Sequence, residues 1–474
     1  MRAPGDILLI SCYELGHQPL ALASPLGFLE RAGFAPAALD VAVEPFDGAR
    51  AARARFVGIS VPMHTALRLG VEVARRVRAV NPTAHVCFYG LYAALNARYL
   101  LARGADSVIG GEFEGRLVAL VEALERGEEP PDGVGTARRA AAPVLERLDF
   151  AVPARRALPP LARYARIVRE DGREEPAGYV EASRGCKHVC RHCPIPPVYG
   201  GRFFAVPREV VLADVRRQVA AGARHVTFGD PDFLNGPTHA LRVARALHAE
   251  FPEATFDFTA KVEHLVRHRD LLPELARLGG VFVVSAVESL NDAVLAALDK
   301  GHTRADVAAA LAATRAAGIA LRPSLVPFTP WETLESYLEL FDFVEREGLI
   351  DHVDPVHFAI RLLVPPGSLL LESAAMRPYL GDLDEASFTY RWTHPDPRMD
   401  ALQREAAALI EGAVPAGETP ETTFERLRAL AWRVAAEAPG GFAPAGRFAR
   451  VGLDVVVAGS VRRRSPRLSE SWFC

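Results

Sequence analysis

Cys186-Lys-His-Val-Cys190-Arg-His-Cys193 is the stretch on which the reading of this chain turns. Its spacing, C-x3-C-x2-C, fits one tight loop. Three thiolates on such a loop can hold three irons of a cubane cluster and leave the fourth iron open to a substrate or cofactor. A zinc site is the other reading, with His188 or His192 completing a Cys3His set. Zinc sites usually pair two ligand turns from separate segments, whereas this is a single group. The remaining cysteines are Cys12, Cys87 and Cys474. Six cysteines in 474 residues are too few for a disulfide scaffold.

The loop follows a strand pattern at 179–183 and opens a series of βα units. Further strand patterns lie at His225–Phe228, Thr255–Thr259, 282–287, Ala320–Leu325 and 356–363. Helical stretches at 208–221, 238–250, 271–278, 292–298 with 304–317, and 334–347 separate them. Six such units in about 190 residues predict a partial (β/α)6 barrel over 179–368, with its site at the carboxyl ends of the strands. Upstream, residues 1–125 alternate strands at Ile7–Ser11, 57–60, His85–Tyr89 and 108–109 with helices at 20–32, 67–80 and from 112. That alternation predicts an α/β doubly wound parallel sheet. Residues 126–178, rich in Pro, Gly, Arg and Ala, read as a linker. Residues 369–474 read as a helical region, with helices at 400–410 and 422–437, ending in a flexible basic tail.

Composition narrows the function. The formal net charge is -3, with 50% hydrophobic and 24% charged residues. That supports a packed core and gives no pull toward nucleic acid or anionic membrane. The longest apolar runs fall short of the ~20 residues a spanning helix needs, and the start lacks a secretory pattern. A cytoplasmic protein is expected. Only Lys187, Lys261 and Lys300 are lysine among 55 basic residues, a skew that reads as base bias.

The motif, its place after the first strand and the six units resemble the radical S-adenosylmethionine (SAM) superfamily over roughly 179–368. The resemblance implies a 4Fe–4S cluster on Cys186, Cys190 and Cys193. SAM would bind the open iron, and its reductive cleavage would start hydrogen abstraction. It also implies an electron donor of flavodoxin or ferredoxin type and a small-molecule or peptide substrate. Position by position, the backbone of His192, where the family usually has an aromatic residue, would meet the adenine. Gly229, Asp230 and Asp232 stand where the SAM amino group is held, or form an Asx-capped turn. Glu288 stands where a carboxylate meets the ribose, or is a helix-start charge. Arg361 lies in the segment that packs on the adenine, or pairs with a nearby acid.

The first 125 residues lack G-x-G-x-x-G and G-x-x-x-x-G-K-[ST], which argues against dinucleotides and nucleoside triphosphates there. Through Pro25–Gly33, Gly58-Ile-Ser60 and Gly110-Gly-Glu112 they resemble the cobalamin-binding domain that precedes many such barrels, without its D-x-H-x-x-G motif. The resemblance implies cobalamin; a vestigial domain that only packs on the barrel is the alternative. His64 follows a strand and reads as a solvent-exposed loop histidine rather than a ligand. The functions left open are radical chemistry with methyl transfer, a thiol- or selenol-dependent redox or metalloid enzyme, and a non-catalytic zinc or iron–sulfur protein.

Tyr13-Glu-Leu-Gly-His-Gln-Pro-Leu, Gly229-Asp-Pro-Asp, Pro330-Trp-Glu-Thr and Pro395-Asp-Pro are similar to a radical SAM family named for a tail reading Cys-Cys-Ala-Glu-Pro or Cys-selenocysteine-Ala-Glu-Pro. That resemblance implies a selenoprotein in which Cys474 is a catalytic thiol beside a selenol. The gene tests it: a TGA codon after Cys474, followed by codons for Ala-Glu-Pro, is expected. TAA or TAG excludes the extension.

Overall fold

The computed structural model describes residues 1–413, 415–437 and 465–470. Five strands form the first sheet: β1 (Ile7–Ser11), β2 (Ala37–Asp40), β3 (Phe56–Ser60), β4 (His85–Tyr89) and β5 (Ser107–Ile109). They run parallel in the order β2-β1-β3-β4-β5. β1, Ile-Leu-Leu-Ile-Ser, is buried at every position, as expected of a parallel strand covered by helices on both faces. Helix Leu20–Arg31 contains Pro25, which cannot donate to the Ala21 carbonyl. The Tyr89 hydroxyl donates to that carbonyl instead, at 3.1 Å. Chain order reverses between β1 and β3, so the ligand crevice of this sheet lies at their carboxyl ends.

The second sheet has the order β13-β12-β11-β10-β7-β6-β16. Its members are β6 (Arg166–Val168), β7 (Glu174–Val180), β10 (His225–Phe228), β11 (Thr255–Thr259), β12 (Gly280–Glu288), β13 (Ala320–Leu325) and β16 (Arg467–Leu468). A separate pair, β8 (Ser183–Gly185) and β9 (Phe203–Ala205), brackets the cysteine loop. β7, β10, β11, β12 and β13 are parallel neighbours. Their helices cover the convex side with the largest apolar cluster, which includes Phe228, Phe256, Phe258, Phe341 and Phe424.

The structure differs from expectation in several places. The sixth barrel strand, expected at 356–363, is a 3-10 turn over Pro355–Phe358 and one parallel bridge, Phe328 to Arg361. Pro355 favours the turn, and Pro365-Pro366 withdraw two donors from any ladder beyond it. The expected linker carries β6 and the start of β7. Its charges hid the strands because they pair across the ladder, as Arg169 does with Glu175 at 2.6 Å. Within the expected flexible tail, β16 adds antiparallel to β6. A hairpin, β14 (Leu380–Asp384) and β15 (Thr389–Trp392), precedes helices Pro397–Ala413 and Pro420–Ala436. No helix among the described residues is long and apolar enough to cross a membrane.

Arg155, in the linker stretch, joins the two sheets. It donates to both Asp214 oxygens at 2.6 and 2.7 Å, to Gln18 Oε1 at 3.0 Å and to the Tyr179 carbonyl at 2.7 Å. The side chains of Arg155 and Asp214 are 7% and 3% exposed, so either charge left alone would be unsolvated. Arg155→Ala is therefore expected to cost about 3–5 kcal/mol of unfolding free energy, read by denaturant titration.

Candidate active site

Gly185 introduces the cysteine loop because a side chain there would collide with the Arg202 carbonyl, and its φ of 69° suits glycine. Lys187 Nζ donates to the Asn235 carbonyl at 2.6 Å and Lys187 N to Asn235 Oδ1 at 3.3 Å. Farther along, Arg191 N donates to the Leu298 carbonyl at 2.9 Å, and Ser368 Oγ donates to the Arg191 carbonyl at 3.2 Å. The loop is thus fastened on three sides. Cys186 and Cys190 are buried and Cys193 is half-buried; none forms a disulfide. Burial, with Cys190 and Cys186 close by, pushes the Cys193 thiol up to about 12, and burial raises that of Cys186. Such a set ionises when a cation compensates the charge, as an iron–sulfur cluster does.

Glu288 ends β12 with φ of 64°, where the β12–β13 register shifts. A left-handed glutamate is costly backbone, and here it turns the carboxylate toward the cysteine loop. Glu288 Oε1 lies 3.0 Å from Lys300 Nζ and 3.1 Å from His192 Nε2. Burial opposes ionisation, but Lys300 and His192 outweigh it and hold the carboxyl well below its usual range. Burial likewise opposes charge on Lys300, and Glu288 reverses that effect.

Gly229 packs its bare Cα against the Tyr179 ring, where a side chain would not fit. Asp230 accepts from Ala182 N at 2.9 Å and from the Ser183 hydroxyl, and burial lifts its carboxyl to about 7. Asp232 is buried and does not line the cavity; it caps Leu234 N at 2.9 Å and sits 2.7 Å from His264 Nδ1. Arg361 donates to Asp400 at 2.6 Å and to the Trp392 carbonyl at 2.7 Å, with its guanidinium 3.5 Å from the Trp392 ring centre. Its pairing with an acid is therefore present, and it still lines the cavity. Cys474 lies outside the described residues.

One cavity of about 470 Å³ brings these groups together. On the barrel side it is lined by the cysteine loop, Asp230, Glu288, Lys300 and Arg361. On the other side lie the strand-end loops of the first sheet, through Leu15, Ser60, Met63, Tyr92 and Phe113. Leu15, Met63, Tyr92 and Phe113 make this wall largely apolar, the surface that a corrinoid face would need. His64 does not face it. That residue is buried rather than exposed, with Nε2 2.7 Å from the Ser387 carbonyl and its ring edge toward Phe388.

Sequence reasoning missed the wall between the sheets. Arg184 there pairs with Glu114 at 2.7 Å, Glu181 at 2.9 Å and Glu112 at 3.6 Å, while the Tyr199 hydroxyl donates to Glu112 at 2.9 Å. Burial raises the Glu112 carboxyl to about 7. It also missed Glu14, which caps helix Leu20–Arg31 through Leu20 N at 2.9 Å and is raised by burial to about 8. One available signal was the lysine scarcity. Lys261 and Lys300 line the cavity and Lys187 clamps the cysteine loop.

The Glu288 pair sets a pH dependence. A carboxyl depressed on folding stabilises above its unfolded value of about 4.3, and that contribution is lost as pH falls through the folded value. Between neutrality and about pH 3, the parent protein should therefore lose more unfolding free energy than Glu288→Gln.

Comparison with known proteins agrees with this arrangement. Residues 180–344 match the radical SAM superfamily and residues 7–121 the B12 binding domain. The ribosomal protein uS12 methylthiotransferase RimO of Geobacter sulfurreducens is 29% identical over 178 residues, 35% of this chain and 39% of that protein. The tRNA-2-methylthio-N(6)-dimethylallyladenosine synthase of Pseudomonas savastanoi pv. phaseolicola is 25% identical over 301 residues, 58% of this chain and 60% of that one. The chain thus matches less than two thirds of the length of these curated relatives. In fold, it resembles the cobalamin-dependent S-adenosylmethionine radical enzyme OxsB, with a TM-score of 0.68, 14% identity and coverage of 86% of this chain and 67% of that one. It also resembles the radical S-adenosylmethionine methyltransferase TsrM of Kitasatospora setae, with a TM-score of 0.58, 19% identity and coverage of 73% and 71%. The chain thus joins a B12 binding domain to a radical SAM domain.

Proposed function

We propose that this protein is an enzyme that uses a 4Fe–4S cluster on Cys186, Cys190 and Cys193, SAM and cobalamin to transfer a methyl group to an unactivated carbon. The shared cavity, walled on one side by the cysteine loop and on the other by the strand ends of the B12 binding domain, carries this reading. When bound, the cluster and SAM supply reductive cleavage of a sulfonium bond, and cobalamin supplies a transferable methyl group.

The chain's own residues position these groups. Lys187 and Asn235 hold the cysteine loop rigid. Glu288, kept ionised by Lys300, would accept from the SAM ribose, and the backbone of His192 would border the adenine. The 229–230 turn would receive the SAM amino group, with Asp230 held in place by Ala182 and Ser183. Arg361, fixed by Asp400, would close the adenine side. The Arg184 cluster holds the two walls together. An electron donor of flavodoxin or ferredoxin type and a small-molecule or peptide substrate complete the scheme.

Anaerobic reconstitution tests it. The parent protein should bind four irons and cleave SAM when reduced, and Ala at any of the three cysteines should abolish both. Glu288→Ala should retain the iron and weaken SAM binding by about 1–3 kcal/mol. Stoichiometric zinc without iron would overturn the cluster. Protein purified from cobalamin-supplied cells should show a corrinoid spectrum; turnover of substrate without cobalamin would sink the methyl-transfer reading.

A further inference from the structure

Beside the cysteine loop, three groups from separate elements converge: His188 in the loop, Asp232 after β10, and His264 in helix Val262–Arg267 after β11. Asp232 and His264 are buried, with side chains 0% and 7% exposed, and His188 is 18% exposed and lines the cavity. His188 Nε2 lies 3.1 Å from His264 Nε2. That is the separation kept by two imidazole donors of one ion at about 2.0–2.1 Å. The other nitrogen of each ring faces a carboxylate. His264 Nδ1 is 2.7 Å from Asp232 Oδ2, and His188 Nδ1 is 3.6 Å from Glu263 Oε2.

A neutral imidazole has one N–H and one lone pair. His264 Nδ1 is buried and makes no hydrogen bond although the Asp232 carboxylate is close. With an ion between the two Nε2 atoms, each ring would give it a lone pair and keep its Nδ1–H on the side of a carboxylate. Carboxylate-backed histidines are the usual arrangement around protein-bound metals. The nearby Lys261 ammonium would oppose a cation, but it lies 3.5 Å from Glu263 Oε2, which offsets it.

We propose that His188 and His264 form a binding site for a divalent transition metal, oriented by Asp232 and Glu263 and separate from the cluster. Imidazole donors suit zinc, iron or cobalt in the divalent state. The ion would tie the cysteine loop to helix Val262–Arg267, with its remaining positions open toward the cavity.

Cluster-loaded protein titrated with Co2+ under anaerobic conditions tests this site, with iron content measured alongside. A single Co2+ per chain is expected, with weak ligand-field absorption, no sulfur-to-cobalt charge transfer, and displacement by Zn2+. His264→Ala and His188→Ala should each remove the cobalt and leave four irons; the second variant alters only a partly exposed side chain. Asp232→Asn should weaken cobalt binding about 10–100-fold. The proposal falls if cluster-loaded protein binds no cobalt, if cobalt binding survives both histidine variants, or if charge transfer places cobalt on the thiolates. Absence of iron in the parent protein bears on the cluster reading instead.

Discussion

Three thiols on one eight-residue loop are the constraint on which the structure depends. Ionised together they repel, and burial makes Cys186 and Cys193 harder to ionise. Protein contacts must therefore hold the loop in shape, and bound cations must supply the compensating charge. The loop is accordingly fastened by Asn235 on the β10 side, Leu298 on the β12 side and Ser368 beyond the barrel. A loop free to relax would separate the sulfurs and lose the donor set.

A second constraint follows from having two walls. A cavity shared by two sheets is useful only if their separation is fixed. Two arginines do this. Arg155 links the linker, the loop after β1 and helix Arg208–Ala220. Arg184 draws carboxylates from both sheets onto one guanidinium, whose forked donors suit several acids at once. Burial, with Glu114 close by, raises the Glu112 carboxyl against the pull of Arg184.

Glu288 shows how local strain serves the site. Its left-handed backbone breaks the β12–β13 register. The carboxylate it aims inward is then held charged by Lys300 and His192. An ionised acid beside the cysteine loop is what a carboxylate acceptor for ligand hydroxyls requires.

The amino-acid sequence alone determined the fold class, the order of the two βα series and the cysteine loop, because those depend on periodicity and local spacing. It could not determine partners far apart in the chain. Strands β6 and β16 and the start of β7 were hidden because exposed ladders carry charged residues whose pairing appears only when the strands meet. The sixth barrel strand looked apolar enough, yet Pro355 and Pro365 broke its ladder. His64 and Arg361 acquired partners 323 and 39 residues away. The lysine scarcity was visible as composition, but its meaning required the tertiary structure. Only folding shows that Lys261 and Lys300 line the cavity beside the cysteine loop and that Lys187 clamps that loop.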